Sequence, residues 1–176
     1  MKKLRLLFYS PGKEDMFSSA VSFWGHLWNP KLKRLPAISH CELQFPDRIG
    51  DVCFSSATYR KGKKLVTGVR FANTSEVLKN SKRWYYIEFS VNDDVEKSMY
   101  EEARLYLGKG FDCIGLFGFC LPWRVQDEGS WYCSEIVNYI CWRGGIVDKF
   151  RRWSPLASAQ MYIDAGYGPL KKLETS

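Results

Sequence analysis

The sequence contains only two histidines, no C-x-x-C pair and no long apolar run. A structural zinc site needs several cysteine or histidine ligands at short spacings, so this pattern argues against one. The six cysteines are scattered along the chain rather than grouped. A chain with 16% aromatic residues can fill a core without disulfide bonds, so reduced thiols are expected.

The first residues, MKKLRLLFYSPGKEDM, are basic and then apolar, as at the start of a signal peptide. The apolar run is only LLFY, which is too short for a signal-peptide core. No other segment approaches the length of a membrane span. We therefore expect a cytoplasmic protein without a signal peptide or a transmembrane segment.

The length of 176 residues and the 45% hydrophobic content suit one well-filled core. Repeats, low-complexity tracts and interdomain linkers are absent from the sequence. These features predict a single domain over residues 1–176.

The net charge of +7 comes from short basic clusters that are spread along the chain. Because no predicted helix concentrates them on one face, they indicate a solvated surface, and nucleic-acid binding is not expected. The clusters are Lys2, Lys3 and Arg5; Lys31, Lys33 and Arg34; Arg60, Lys61, Lys63 and Lys64; Arg151 and Arg152.

Hydrophobic periodicity divides the chain into strands and then helices. Strands are predicted at 5–9, 38–45, 51–58, 64–72 and 83–90, and helices at 16–28, 92–108, 132–143 and 154–165. The links between the later strands are short, which favours antiparallel pairing. The order predicts an α+β fold.

The segment ISHCELQF, residues 38–45, alternates between two faces. Cys41, Leu43 and Phe45 form the face to be buried, while His40, Glu42 and Gln44 line a polar side. This polar side is either an exposed strand face or a place where a carboxylate orients an imidazole.

A cysteine nucleophile usually needs an imidazole base, and only His26 and His40 can provide one. His26 lies near the end of an aromatic helical segment, where packing or capping is the expected role. His40 is therefore the better candidate.

Cys133, within GSWYCSEIV, and Cys113 each stand near the start of a predicted helical segment. Unpaired N–H groups and the positive end of the helix dipole lower a thiol pKa there, and the same groups can hold an oxyanion. Ile136, Val137 and Ile140 share the helical face of Cys133, so a buried structural role is equally open.

The segments SHCELQF, GFDCIGLFGF and WYCSEIV, in that order, resemble those of the permuted NlpC-type papain-like cysteine peptidases, the YaeF/YiiX-like amidases. In that group the nucleophile follows the histidine in sequence. The resemblance implies a circularly permuted papain-like fold, with an antiparallel sheet or partly closed barrel packed against helices.

The resemblance also implies site residues. It assigns the nucleophile to Cys133 and the base to His40, with Glu42 as the residue that orients the imidazole. It requires no metal and no organic cofactor.

FDCIG, residues 111–115, departs from this pattern. It is similar to the nucleophile segment of unpermuted NlpC enzymes, in which cysteine precedes histidine. Because no histidine follows Cys113, that order cannot be satisfied, and we expect Cys113 to pack in an apolar element.

The predicted function is hydrolysis of an amide in a small peptide or amino-acid conjugate, such as a cell-wall peptide, through a thioester on Cys133. Three alternatives remain: a lipid acyltransferase or thioesterase of the lecithin:retinol type, a degenerate binding module, and a nucleic-acid-binding protein. Phe23, Trp24 and Trp28 are expected to pack in the core, although beside a basic run they would also suit a lipid interface. The oligomeric state is not predicted.

Overall fold

The computed structural model describes residues 1–12, 14–15, 19–23, 32, 34–61, 64–112 and 129–174. The strands are β1 Lys2–Tyr9, β2 His40–Phe45, β3 Val52–Lys61, β4 Lys64–Asn73, β5 Trp84–Val91, β6 Gly110–Phe111, β7 Ser130–Trp131 and β8 Lys171–Lys172. The helices are α1 Thr74–Val77, α2 Asp93–Leu105, α3 Cys133–Arg143 and α4 Pro155–Asp164, with a 3-10 turn at Ser81–Arg83.

Six strands form one sheet in the order β4-β3-β2-β1-β5-β8, and every neighbouring pair in it is antiparallel. β4 and β8 are its two edges, so within the described residues the sheet is open and does not close into a barrel. β6 and β7 form a separate parallel pair. The predicted α+β fold with an antiparallel sheet packed against helices is thereby confirmed at this level.

The main core lies between the sheet and helices α2, α3 and α4. Leu6, Leu43 and Ile87 on three adjacent strands belong to one buried cluster with Ile136 and Ile140 of α3. Residues opposite one another in antiparallel strands share a face, so the registers Leu6↔Leu43 and Leu6↔Ile87 place these strand residues together. The sheet face with the strongest apolar alternation is therefore the one that the helices cover.

The opposite face of the sheet is also covered at its centre. Leu7, Cys53 and Trp84 form a second, smaller buried cluster there. Glu42 and Gln44 lie on this face and are buried, so an exposed face for β2 is wrong. The physical reason is that β2 is an interior strand of a sheet that is covered on both sides, and its polar side chains are stabilised by polar partners.

The side-chain nitrogen of Gln44 illustrates how a buried donor finds partners on this face. Its Nε2 donates to Oδ1 of Asp51 at 2.8 Å, and the Thr74 hydroxyl donates to the same oxygen at 2.8 Å. Asp51 adopts a positive φ of 43° in the turn before β3, a conformation that Asp tolerates better than most residues. These contacts connect the end of β2 to the start of α1.

The helix boundaries agree with their sequence signals. Ser154 precedes α4, accepts a hydrogen bond from the Ala157 N–H, and is followed by Pro155 at the first helical position. Asn92 precedes α2 without a side-chain capping bond, but Asp93, Asp94 and Glu96 place negative charge in its first turn.

The helix predicted over 16–28 is helical at residues 19–23, and the rest of it lies outside the described residues, Trp24 and Trp28 included. Phe23 is 63% exposed, so the core packing expected for it is wrong. The segment 113–128, which contains most of GFDCIGLFGF, also lies outside them. Among the helices of the described ranges, none combines the length and apolar character that crossing a bilayer would require.

Candidate active site

Cys133 is the first residue of helix α3, and Tyr132 occupies the N-cap position with an extended backbone. The first N–H groups of an α-helix have no partner within the helix, and they carry the positive end of its dipole. Cys133 itself is buried, with 2% of its surface exposed. Its thiol therefore lies in a low-dielectric site beside helix N–H groups, where nearby charges act strongly.

His40 is the first residue of β2, and its side chain is 23% exposed. The register aligns it with Tyr9 on β1, which is aligned in turn with Trp84 on β5. The Trp84 ring meets the imidazole edge-on, with 6.2 Å between ring centroids. This aromatic contact restricts the orientation of the imidazole from one side.

Glu42 contacts the imidazole from its own strand. Its Oε1 lies 2.8 Å from Nε2 of His40. Strand residues two positions apart project to the same side, which is why the spacing H-x-E brings the two groups together. With Nε2 directed at Glu42, Nδ1 is the ring nitrogen left to face Cys133, which raises the pKa of the imidazole.

Arg70 on β4 holds Glu42 from the other side with two hydrogen bonds. Nη1 donates to Oε2 at 2.7 Å and Nη2 donates to Oε1 at 2.5 Å. The guanidinium crosses β3, where the small Ser55 is the cross-strand partner of Arg70. Ser55 turns its hydroxyl away to donate to the Cys41 carbonyl at 2.7 Å.

These contacts set the charge on Glu42. Burial by itself would raise the pKa of this carboxyl, but the Arg70 guanidinium, and then His40, outweigh burial and lower the pKa to about 2. Glu42 is therefore an ionised carboxylate inside the protein. It accepts hydrogen bonds from both Arg70 and His40.

His40 and Cys133 shift one another in opposite directions. Burial would lower the pKa of His40, but the Cys133 thiolate and the Glu42 carboxylate raise it to about 10. Hydrogen bonds from Cys41, and then the charge and hydrogen bond of His40, hold the pKa of Cys133 well below its usual range, against the effect of burial. A thiolate–imidazolium pair is therefore the stable protonation state near neutral pH.

Cys41 is an unexpected member of this group. It is buried on the helix-covered face, as the alternation predicted, and from there it meets Cys133 at the start of α3. Burial, followed by its hydrogen bond to Cys133, raises the pKa of Cys41 well above its usual range. Cys41 therefore remains a neutral thiol beside Cys133.

The four described cysteines, Cys41, Cys53, Cys133 and Cys141, are all free thiols. Burial raises the pKa of Cys53, and it raises the pKa of Cys141 to about 12. Among these four, only Cys133 has a lowered pKa. The alternative candidates His26 and Cys113 lie outside the described residues.

The two residues that follow Cys133 in the C-S-E segment have structural partners. The Ser134 hydroxyl donates to the Trp153 carbonyl at 2.6 Å, and Arg152 Nε lies 2.7 Å from Oε1 of the buried Glu135. Burial raises the pKa of Glu135 to about 7 although Arg152 opposes the shift. These contacts connect the start of α3 to the segment before α4.

A basic groove of about 1000 Å³ lies elsewhere on the molecule. It is lined by Arg5, Lys82, Tyr86, Lys171, Lys172, Leu173 and Glu174. Neither Cys133 nor His40 lines this groove.

No known protein-family model matches this chain, and a search of curated proteins gave no significant match. The resemblance to permuted papain-like amidases therefore remains a prediction from short motifs. The structure does bring together all three predicted site residues, Cys133, His40 and Glu42, by the contacts described above. It adds Arg70 and Cys41, which sequence reasoning did not assign to the site.

Proposed function

We propose that this protein is a cysteine hydrolase that cleaves an amide bond in a small peptide or amino-acid conjugate through a thioester on Cys133. One observation carries the proposal: the thiol at the start of α3 is paired with an imidazole whose other nitrogen lies 2.8 Å from a buried carboxylate. A nucleophile, a base and an orienting group in this order form the arrangement that activates a weak nucleophile.

In the proposed reaction, the Cys133 thiolate attacks the carbonyl carbon and forms the C–S bond of a tetrahedral intermediate. The N–H of Cys133, at the start of α3, is suited to donate to the oxyanion. His40, as imidazolium, gives its proton to the leaving nitrogen, and the C–N bond breaks.

The second half of the reaction releases the acyl group. Neutral His40 takes a proton from water, and the hydroxide attacks the thioester carbonyl. Collapse of this intermediate expels the Cys133 thiolate and a carboxylic acid, while His40 again carries the proton. No step needs a redox partner or an external cofactor.

The choice of amide rests on the resemblance to amidases and on the absence of a long apolar docking segment from the sequence. The same Cys-His chemistry would serve a lipid acyltransferase or thioesterase. A catalytically inactive binding module would keep the contacts of His40 and Glu42 without turnover.

The deciding experiment incubates the protein with a panel of peptidoglycan fragments and a panel of phospholipids, and follows products and intact protein mass. We expect cleavage of a peptide and a transient acyl adduct on Cys133, with neither in Cys133→Ala. Release of fatty acid, or a lipid acyl adduct without peptide cleavage, would favour the acyltransferase. Absence of turnover with either panel, together with an unreactive Cys133, would favour the binding module.

A further inference from the structure

We propose that Arg70 is a positioning residue of this site, which keeps Glu42 ionised and turned toward His40. The inference rests on the proposed function, because it assigns Arg70 a part in maintaining the Cys133–His40 pair. Arg70 donates two hydrogen bonds to Glu42, and Glu42 in turn contacts His40. Arg70 therefore acts on the Cys133–His40 pair through Glu42.

The geometry of the arginine contact fixes the orientation of Glu42. Arg70 meets both oxygens of Glu42, at 2.7 Å and 2.5 Å, so it fixes the plane of the carboxylate as well as its position. One of these oxygens, Oε1, is the atom that lies 2.8 Å from Nε2 of His40. A rotation of the carboxylate that weakened the His40 contact would therefore also strain the arginine contact.

The arrangement of the strands allows Arg70 and Glu42 to meet. Arg70 and Glu42 are on β4 and β2, with β3 between them, so each must reach across one strand. The guanidinium can cross β3 because the small Ser55 occupies the intervening position and donates its hydroxyl to the Cys41 carbonyl. A large side chain at Ser55 would fill the space that the guanidinium crosses.

Electrostatics makes the charge of Glu42 depend on a positive partner. Glu42 is 1% exposed, and a buried carboxylate without a positive partner takes up a proton instead of remaining charged. A protonated Glu42 would lose the negative charge that stabilises the imidazolium, and its O–H would donate to an unprotonated Nε2, which favours the neutral imidazole. The Cys133–His40 ion pair therefore depends on a charged Glu42, and Arg70 supplies the larger part of its stabilisation.

Other titratable groups act on Glu42 within the described residues. They are His40 and Cys41 on the same strand and Cys53 on β3. Leu7, opposite Glu42 on β1, is apolar. The two cysteines have raised pKa values and stay neutral, so Arg70 and His40 are the charged groups that decide the state of Glu42.

The test measures the rate of Cys133 alkylation by iodoacetamide from pH 3 to pH 9, with peptide mapping of the folded protein. The Arg70→Met and Arg70→Gln variants remove the charge. Two are made so that the alkylation can be measured on whichever of them folds. We expect the pH at which alkylation is half-maximal to move upward by about one pH unit or more. A neutral Glu42 no longer stabilises the imidazolium that lowers the pKa of Cys133, and the loss of a neighbouring charge shifts a pKa by that order. Arg70→Lys keeps the charge with fewer contacts and should give a smaller shift.

Arg48→Met is the matched control. Arg48 also holds a buried glutamate with two hydrogen bonds, to Oε1 and Oε2 of Glu96 at 2.7 Å each, but this pair lies outside the site. A general loss of stability would affect both variants, whereas a positioning role moves the alkylation midpoint only in the Arg70 variants.

The outcomes separate the two proposals. If Cys133 of the unmodified protein is not alkylated below the usual thiol range, the proposed function fails. If it is alkylated there but the Arg70 variants keep the same midpoint, or if Arg48→Met shifts it equally, the role of Arg70 alone is overturned.

Discussion

Nε2 of His40 lies 2.8 Å from Oε1 of Glu42, two residues further along strand β2. The contact is local in sequence, but its effect depends on distant residues. Arg70 on β4 lowers the pKa of the carboxylate and so keeps it charged. On α3, the imidazole helps to lower the pKa of Cys133. A strand of alternating side chains thus becomes one half of a candidate catalytic pair, and a helix start supplies the other half.

Glu42→Gln is expected to lower turnover by about 10²-fold or more, because a positioned acid–base group contributes on that scale. The amide can present its NH₂ group to Nε2, which disfavours the imidazolium. The measurement is turnover of the substrate that the fragment panel identifies, with circular dichroism to verify folding. Glu88→Gln is the matched control, since Glu88 also pairs with an arginine, Arg5, on the same sheet. Equal losses in both variants would contradict a specific role for Glu42.

Limiting iodoacetamide is expected to label Cys133 first, and labelling should persist well below the pKa of a free thiol, about 8.5. The reason is the lowered pKa of Cys133 beside Cys41 and His40. Peptide mapping after short exposure identifies the labelled residue. Preferential labelling of Cys113 or Cys53 would remove Cys133 as the candidate nucleophile.

His40→Asn is expected to move the alkylation of Cys133 toward the ordinary thiol range, because the positive partner of the thiolate is lost. The rate at pH 6 should fall while the rate at pH 9 changes less. The same mapping experiment, repeated at these two pH values, measures the difference. A rate at pH 6 equal to that of the unmodified protein would mean that His40 does not stabilise the thiolate.

The five longer strands and the starts of α2, α3 and α4 were predictable because their signals are local, whereas the two-residue strands β6, β7 and β8 and the short helix α1 were not predicted. Alternation in SHCELQF identified β2 and placed His40 and Glu42 on one side, and Ser154 with Pro155 marked the start of α4. A two-residue spacing on a strand fixes a contact without knowledge of the fold. The His40–Glu42 pair could therefore be proposed from the sequence.

Arg70 and Cys41 could not be assigned in the same way. Whether Arg70 reaches Glu42 depends on the register of β3 against both its neighbours and on the small size of Ser55. Whether Cys41 meets Cys133 depends on where α3 packs against the sheet. The alternation of side chains along residues 38–45 predicted that Cys41 is buried. It did not predict which side chains Cys41 packs against.

The burial of Glu42 also escaped sequence reasoning, because a polar strand face normally indicates solvent. Here an arginine from β4 stabilises the carboxylate charge of Glu42, as water does for an exposed carboxylate. Polar residues on an interior strand are thus compatible with a covered sheet face when their partners come from neighbouring strands.

Acid is expected to destabilise the protein through Glu42. The pKa of this carboxyl is lowered in the folded chain from 4.5 to about 2, so its contribution is fully present above the ordinary value and is lost as the pH falls through about 2. The size of this contribution is up to about 3 kcal/mol of unfolding free energy. Urea unfolding at pH 5 and at pH 2.5 measures the loss.

The double variant Glu42→Gln with Arg70→Met separates the contribution of Glu42 to the acid-induced loss of stability from the contributions of the other carboxylates. It replaces a buried ion pair by two uncharged side chains, a change that proteins often tolerate without loss of stability. Its free energy of unfolding should fall less between pH 5 and pH 2.5 than that of the unmodified protein, because the titrating group is gone. Glu88→Gln removes a partly exposed carboxylate, so most of the original pH dependence should remain. If the double variant lost as much stability in acid as the unmodified protein, Glu42 would not be charged in the folded state, and the part assigned to Arg70 would fail with it.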